Sequence, residues 1–218
     1  RHTITNVDAV CEAIGIKPVK SKIRLDGGNV VISGSKVIMT DRIFSENPRY
    51  SKKRLLEELQ ELLRVERVII IPECPGDMTG HADGLVRFAH EAGADNHTVY
   101  VSDLSSACPR YFPQLYSALT QAELTPILIP YESPKKYDGV DATGTYINYL
   151  RVGKFVFYPV FGSKADASAG KIFLKLFGSC AVPIRVGRLA KEGGVLNCIS
   201  WNVLRKKRCR SLEQSGKL

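Results

Sequence analysis

The stretch that decides the fold is "SKVIMTDRIFSENPRYSKKRLLEELQELLRVERVIIIPECP", residues 35–75 of a 218-residue chain. Its opening, residues 35–44, is rich in β-branched and apolar side chains, which predicts a strand. The segment 51–63 carries leucines at positions 55, 56, 59, 62 and 63, a spacing that places them on one face of an amphipathic helix. A second apolar run, residues 65–75, ends at proline and predicts another strand. The stretch therefore predicts a strand, a helix and a strand in succession.

The same order recurs twice further along the chain. "HTVYVSD" and "GKFVFYPVF" each predict a strand that is followed by a helical segment and a further strand. The six segments are 97–103, 111–123, 124–134, 153–161, 166–178 and 180–188. Strand starts near 36, 97 and 153 give a period of about sixty residues, which indicates an internal repeat.

A short extended segment precedes each repeat: "LDGGNVVISG", "HADGLVRFAHEAG" and "TYINYLRVG" each resemble the first arm of a hairpin. A fourth such arm, "EGGVLNCISWNVL", begins at residue 192, and a half-unit with a helix capped by Asn6 occupies residues 1–24. Mixed hairpin–helix–strand units of about sixty residues predict an α/β fold of the ring or propeller type. We expect one domain at 1–204, with an N-terminal part missing upstream of Arg1, and a basic tail at 205–218.

The composition restricts the class of protein and its partners. No uncharged apolar run has the length of a membrane span, and no secretory leader opens the chain. Six cysteines without a CxxC pair suit neither a zinc site nor a disulfide framework, so we expect reduced thiols and a cytoplasmic location. The net charge of +9 owes much to "RKKRCR" at 205–210. Because no aromatic stacking motif accompanies this run, it predicts a solvated tail rather than a nucleic-acid site.

Polar side chains mark the successive first arms. They are Asp26, then His81 with Asp83, then Asn148, then Cys198. If a rotation relates the repeats, equivalent arms converge near its axis. The repeat therefore predicts that these side chains share one pocket.

A thiol, an imidazole and carboxylates together suit a specific chemistry. A thiol with its ordinary pKa of about 8.5 needs nearby positive charge to become a nucleophilic thiolate. Histidine titrates near neutrality and suits general acid–base work. The carboxylates are more than a peptidase needs and would repel a developing oxyanion, whereas they bind a planar guanidinium group bidentately. The set therefore favours nucleophilic substitution at the carbon of a guanidinium substrate.

Four motifs carry a resemblance to a known family. "LDGGN", "DMTGHADG", "TYINY" and "EGGVLNCIS" resemble, in that order, motifs of the agmatine deiminase and bacterial-type peptidylarginine deiminase family. The resemblance covers residues 5–203 and implies a pseudosymmetric five-bladed α/β-propeller of the guanidino-group-modifying superfamily. It implies hydrolysis of a small cationic guanidino compound, with agmatine favoured over free or peptidyl arginine. Because the substrate brings its own charge, neither a metal nor an organic cofactor is expected.

The resemblance also implies roles for the polar residues. Cys198 would attack the guanidinium carbon and form a covalent thiouronium intermediate. His81 would protonate the departing ammonia and then activate water. Asp83 would bind guanidinium nitrogens, and Asp26, which stands where relatives carry Glu, would orient His81 or hold the substrate.

Two further positions and several departures from the family pattern complete the prediction. Asp77 would contact the far end of the substrate, although beside Pro75 it equally suits a turn. Asn148 matches a polar position of the family. No tryptophan–arginine–aspartate motif with a further guanidinium-binding Asp occurs, and Asn197 stands where agmatine-specific relatives carry His.

Several alternatives stay open at this stage. The intermediate would pass to an amine instead of water in an amidinotransferase. A catalytically incomplete relative would instead bind polyanions through the basic tail. The pair Gly27–Gly28 is either a simple hairpin signal or a contact to ligand, and the sequence leaves a homo-oligomer open.

Overall fold

The computed structural model describes residues 6–89, 97–134 and 140–202. Nine strands and six α-helices alternate along this part of the chain. The helices are α1 Val7–Ala13, α2 Arg42–Glu46, α3 Lys52–Leu63, α4 Phe112–Gln121, α5 Asp166–Phe177 and α6 Gly187–Ala190. The strands are β1 Val31–Ser33, β2 Lys36–Thr40, β3 Arg67–Ile71, β4 Val86–Phe88, β5 Thr98–Ser102, β6 Thr125–Ile129, β7 Leu150–Val152, β8 Phe155–Val160 and β9 Ala181–Arg185. Two short 3-10 helices lie at Gly27–Asn29 and Gly178–Cys180.

The strands form three sheets of three strands, and each sheet contains one repeat. The first two strands of each sheet form an antiparallel hairpin, with Val31 opposite Ile38 in the first sheet. The third strand follows a long helix and runs parallel to the second strand. Parallel neighbours need such a crossover because a tight turn cannot join them. The predicted repeat of hairpin, helix and strand is therefore confirmed, whereas closure of a ring stays a prediction.

Helix α3 shows how the local sequence sets the element boundaries. The Ser51 side chain caps its first turn by accepting a hydrogen bond from the Arg54 amide. Leu55 and Leu59, one turn apart, are buried against the first sheet. The helix ends at Arg64, which adopts the left-handed conformation with a φ of 55°.

Apolar side chains cover both faces of the central strands β2 and β5. In β2, Val37 packs with α3, whereas the next residue, Ile38, packs into the core shared by the first and second sheets. In β5, Val99 belongs to that shared core, and Tyr100 contacts the core around Tyr149 and Phe173 near the third sheet. Successive strand residues point to opposite faces, so one strand contributes to two cores. This packing fixes neighbouring repeats relative to one another.

Two segments differ from the sequence-based predictions. The strand predicted at 35–44 ends at Thr40, and α2 begins two residues later. The Asp41 amide makes the last bond of the ladder, to the Ile71 carbonyl oxygen, and the Asp41 carboxylate then accepts from the Glu73 amide. The predicted fourth arm forms no strand between residues 192 and 202, because Gly193 turns the chain at a φ of 89°.

The described part also bears on the composition-based expectations. Its five cysteines are free thiols: Cys11, Cys74, Cys108, Cys180 and Cys198. Within the same ranges, no helix combines the length and the apolar character that crossing a bilayer requires. The basic tail at 205–218 lies outside the described residues, so its assignment stays a prediction.

Candidate active site

The polar residues of the first arms lie in loops just before the innermost hairpin strands. Asp26 precedes the short 3-10 helix that leads into β1, and His81 and Asp83 precede β4. Asn148 precedes β7, and Cys198 follows the turn at Gly193 in the C-terminal segment. Contacts between these four loops hold them close together: His81 lies next to Asp26, and both Asn148 and Cys198 contact Asp83.

Asp83 is the buried centre of the site, with 4% of its surface exposed. Its Oδ2 accepts hydrogen bonds from Asn148 Nδ2 at 3.0 Å and from Asn197 Nδ2 at 2.8 Å. The Cys198 thiol lies 3.8 Å from the same oxygen. A buried carboxylate needs donors of this kind to offset its desolvation. The structure thus places a carboxylate directly beside the candidate nucleophile.

Asn148 holds the segment that carries Cys198. Its side chain is 1% exposed and, besides donating to Asp83, accepts from the backbone amides of Asn197 at 3.0 Å and Cys198 at 3.2 Å. The Asn197 amide also lies 3.2 Å from the Asn148 carbonyl oxygen. One asparagine therefore fixes the distance between the thiol and the Asp83 carboxylate.

The environment of Cys198 raises the pKa of its thiol above the ordinary value. Partial burial of the sulfur is the largest cause, although Cys198 as a whole residue is exposed, and the negative charge of Asp83 is the second. Hydrogen bonds with the Val195 backbone and the Asn148 side chain lower the pKa of the thiol, but by less than the first two causes raise it. The free protein therefore holds Cys198 mainly as a neutral thiol at neutral pH, and a cation bound at Asp83 would favour the thiolate.

His81 and Asp26 form a second pair, joined to the first cluster through Gly28. His81 Nε2 lies 3.4 Å from Asp26 Oδ2. A Cβ at Gly28 would lie 2.3 Å from His81 Nδ1, whereas one at Gly27 would meet nothing within 4 Å. The Asp83 amide donates to the Gly28 carbonyl oxygen at 3.0 Å. Gly28 is thus required for the close approach of the imidazole and also holds the backbone of Asp83.

Asp77 forms a turn, as one of the two sequence interpretations predicts. Its Oδ1 accepts from both the amide and the hydroxyl of Thr79, at 2.8 and 2.7 Å. The same residue lines a cavity with His81 and Asp83, so the turn also places a carboxylate beside the site. A contact to the far end of a substrate stays a prediction.

Two cavities meet at Asp83. The larger, about 990 Å³, is lined among others by Cys198, Asn197 and Arg87. The smaller, about 210 Å³, is lined by His81 and by the carboxylates of Asp77, Asp83, Asp141 and Glu192. Cys198, the candidate nucleophile, and His81, the candidate acid–base group, therefore line different cavities, and Asp83 lines both.

Sequence reasoning missed Arg87, which contacts this cluster from β4. Its guanidinium group donates to the Tyr149 carbonyl oxygen and to Asn197 Oδ1, the latter at 3.3 Å, and lies 4.2 Å from the centre of the Tyr149 ring. One signal was available: β4 consists of one arginine between two buried apolar residues, Val86 and Phe88. Such a cation needs a partner across the sheet.

Replacing Asn148 by alanine is expected to destabilise the protein by about 1–3 kcal/mol, because two buried amides and one carboxylate lose a partner. Replacing it by aspartate keeps the acceptor for both amides but places a second charge beside Asp83, so we expect a larger loss. Urea unfolding measures both. Equal midpoints for the alanine variant and the unsubstituted protein would rule out the bridging role.

Comparison with known proteins places this geometry in context. The sequence pattern of the Porphyromonas-type peptidyl-arginine deiminase family matches residues 2–203. The chain is 26% identical over 216 residues to agmatine deiminase of Pseudomonas fluorescens, covering 81% of this chain and 56% of that protein. The structure resembles agmatine deiminase of Enterococcus faecalis with a TM-score of 0.74 at 20% identity, over 88% of this chain and 60% of that one.

A further solved structure shows the same fold. It is a cysteine-to-serine variant of C. jejuni agmatine deiminase with substrate bound, which matches with a TM-score of 0.72 at 18% identity, over 88% of this chain and 60% of that one. The chain therefore spans less than two thirds of the length of the relatives it matches. In the described ranges, no three His, Cys, Asp or Glu side chains are grouped as a metal site requires.

Proposed function

The chain belongs to the Porphyromonas-type peptidyl-arginine deiminase family, and we propose that it hydrolyses a guanidino compound to the ureido product and ammonia through a covalent intermediate on Cys198. One observation carries the proposal: the buried Asp83 carboxylate lies 3.8 Å from the Cys198 sulfur. A guanidinium group bound to this carboxylate would present its carbon to the thiol. The same cation would bring additional positive charge next to the thiol.

The bound substrate would activate its own nucleophile. Asp83 and the loss of solvent keep the pKa of the Cys198 thiol raised in the free protein. A guanidinium cation at Asp83 offsets that negative charge, so thiolate formation becomes easier only when substrate is present. The thiol proton passes to solvent water as the substrate binds.

The reaction would then proceed in two displacements. The sulfur attacks the guanidinium carbon, a C–S bond forms, the bond to one terminal nitrogen breaks, and His81 gives a proton to the departing ammonia. Water next attacks the thiouronium carbon and gives a proton to His81. The C–S bond breaks and the remaining hydroxyl proton passes to the sulfur, which releases the ureido product and restores the thiol.

Agmatine is the favoured substrate, and two observations support it. The relatives that match include agmatine deiminases by name. The smaller cavity beside His81 is lined by Asp77, Asp141 and Glu192 besides Asp83, and no lysine or arginine among the described residues lines it, which suits a substrate whose far end is a second cation. Free or peptidyl arginine stays the second candidate, because the family description names peptidyl arginine.

Product analysis tests the proposal. Incubation of the protein with agmatine should release ammonia and the ureido product in equal amounts, and arginine should react more slowly. Amidino transfer predicts instead that an added amine becomes the acceptor and that the ureido product falls as the amine is raised. Absence of both products with agmatine, free arginine and an arginine peptide would contradict the proposal. Salt-sensitive binding to nucleic acid, without turnover, would favour a polyanion-binding role for the tail.

A further inference from the structure

We propose that Arg87 is a positioning residue for the Cys198 nucleophile and acts through the side-chain amide of Asn197; this inference rests on the proposed function. Arg87 lies in β4, four residues after Asp83, and belongs to a different repeat from Cys198. It therefore links the second repeat to the C-terminal segment that carries the thiol.

The contacts of Arg87 fix its guanidinium group from two sides. Its Nη1 donates to the Tyr149 carbonyl oxygen and to Asn197 Oδ1. The plane also stacks on the Tyr149 ring, whose centre is 4.2 Å away, and Tyr149 is 1% exposed. A guanidinium group held by a carbonyl oxygen and by a buried aromatic ring has few other orientations.

Arg87 in turn determines the orientation of the Asn197 amide. The two ends of an asparagine side chain differ, since the oxygen accepts and the nitrogen donates. With the oxygen facing the Arg87 cation, the nitrogen faces Asp83, to which it donates at 2.8 Å. A flipped amide would place its oxygen against the Asp83 carboxylate and its nitrogen against the cation, and both contacts would be repulsive.

This orientation matters because Asn197 immediately precedes Cys198. The backbone amides of both residues bind Asn148, and the side chain of Asn197 binds Asp83, so the segment is held at three points. Without Arg87, the Asn197 oxygen loses its partner, so Asp83 alone orients the amide and the thiol segment is freer to shift. A displacement of about 1 Å at a nucleophile costs about 10²-fold in rate.

The charges around the thiol also change when Arg87 is removed. Among the described residues, the ionisable side chains that line the larger cavity with Cys198 are Asp83, Arg87 and Arg151. The negative charge of Asp83 disfavours the thiolate. The Arg87 cation is joined to Asp83 through the Asn197 amide, so it should offset part of that negative charge. Loss of the cation should therefore leave the thiol harder to deprotonate.

The test uses turnover and thiol alkylation on the same variants. Arg87→Gln is expected to lower kcat about tenfold or more with little change in KM, since the guanidinium-binding carboxylate stays in place. Without substrate, Cys198 of the Arg87→Gln variant should need a higher pH than in the unsubstituted protein to react with iodoacetamide. Peptide mass spectrometry follows this alkylation. Arg87→Lys, which keeps the charge but not the fork of donors, should recover part of both losses.

A matched control separates positioning from simple packing. Arg54 also stacks on a tyrosine, with its guanidinium 5.8 Å from the Tyr50 ring centre, but its other partner is Glu58 on the surface of α3. Arg54→Gln should therefore leave kcat and the alkylation profile unchanged. An effect as large as that of Arg87→Gln would overturn the proposal.

Asn197→Ala supplies a second route if Arg87→Gln folds poorly. Because Arg87 acts through Asn197, the double variant should lose little more activity than the worse single variant. Losses that multiply, or an unchanged alkylation profile in both single variants, would overturn the role of Arg87. If no variant and no unsubstituted protein turns over a guanidino compound, the proposed function fails, whereas the alkylation profile still decides whether Arg87 positions the thiol.

Discussion

Replacing Asp83 by asparagine should lower turnover about 10³-fold while making the Cys198 thiol more reactive in the absence of substrate. The two effects have opposite signs because the Asp83 carboxylate acts in two ways. It binds the guanidinium cation in the proposed reaction, and in the free protein its charge raises the pKa of the adjacent thiol. Asparagine has nearly the same shape but no charge, so it weakens guanidinium binding and also removes the charge that raises the pKa of the thiol.

Alkylation by iodoacetamide at pH 8 measures the second effect. Removing a negative charge beside the thiol lowers its pKa and increases the thiolate fraction, so alkylation of Cys198 should become about tenfold faster. Cys198→Ala is the background control for both assays, since it should neither release ammonia nor show alkylation at position 198. Slower alkylation in the asparagine variant would contradict the electrostatic account of the site.

Replacing Gly28 by alanine should lower turnover about 10²-fold. The new Cβ would lie 2.3 Å from His81 Nδ1, a distance that no folded protein tolerates, so the imidazole must move. The Gly28 carbonyl oxygen also accepts from the Asp83 amide, and displacement of this backbone would reach the second cluster as well. Steady-state kinetics with agmatine measure the loss.

Gly27 offers the matched control at the neighbouring position. A Cβ there would meet nothing within 4 Å, so Gly27→Ala should retain turnover within about threefold and the same denaturation midpoint. Equal losses in the two variants would mean that the loop, rather than the approach of the imidazole, sets the activity.

The repeat could be predicted because each element has a strong local signal. The leucine spacing predicts an amphipathic helix at 51–63, and α3 confirms it. Helix α2 could not be predicted, because its end is held by contacts that are remote along the chain: the Asn47 side chain bonds to the backbone of Arg24. The turn at Gly193 likewise depends on where the segment packs rather than on its own pattern.

The repeat likewise allowed some features of the site to be predicted and not others. The repeat brought Asp26, His81, Asp83, Asn148 and Cys198 into one prediction because each residue occupies an equivalent arm. It gave no information on Arg87, whose partner Asn197 lies 110 residues away and in another element. Nor could it show that His81 and Cys198 face different cavities, since this depends on how the loops cross at Asp83.

Mass spectrometry of an acid-quenched reaction with agmatine tests the central claim most directly. The account predicts an adduct on the peptide that contains Cys198, with the mass of the substrate less ammonia, that forms and decays during turnover. The Cys198→Ala protein should carry no adduct. Release of the ureido product with no adduct on Cys198, or with an adduct on another of the cysteines, would contradict the account.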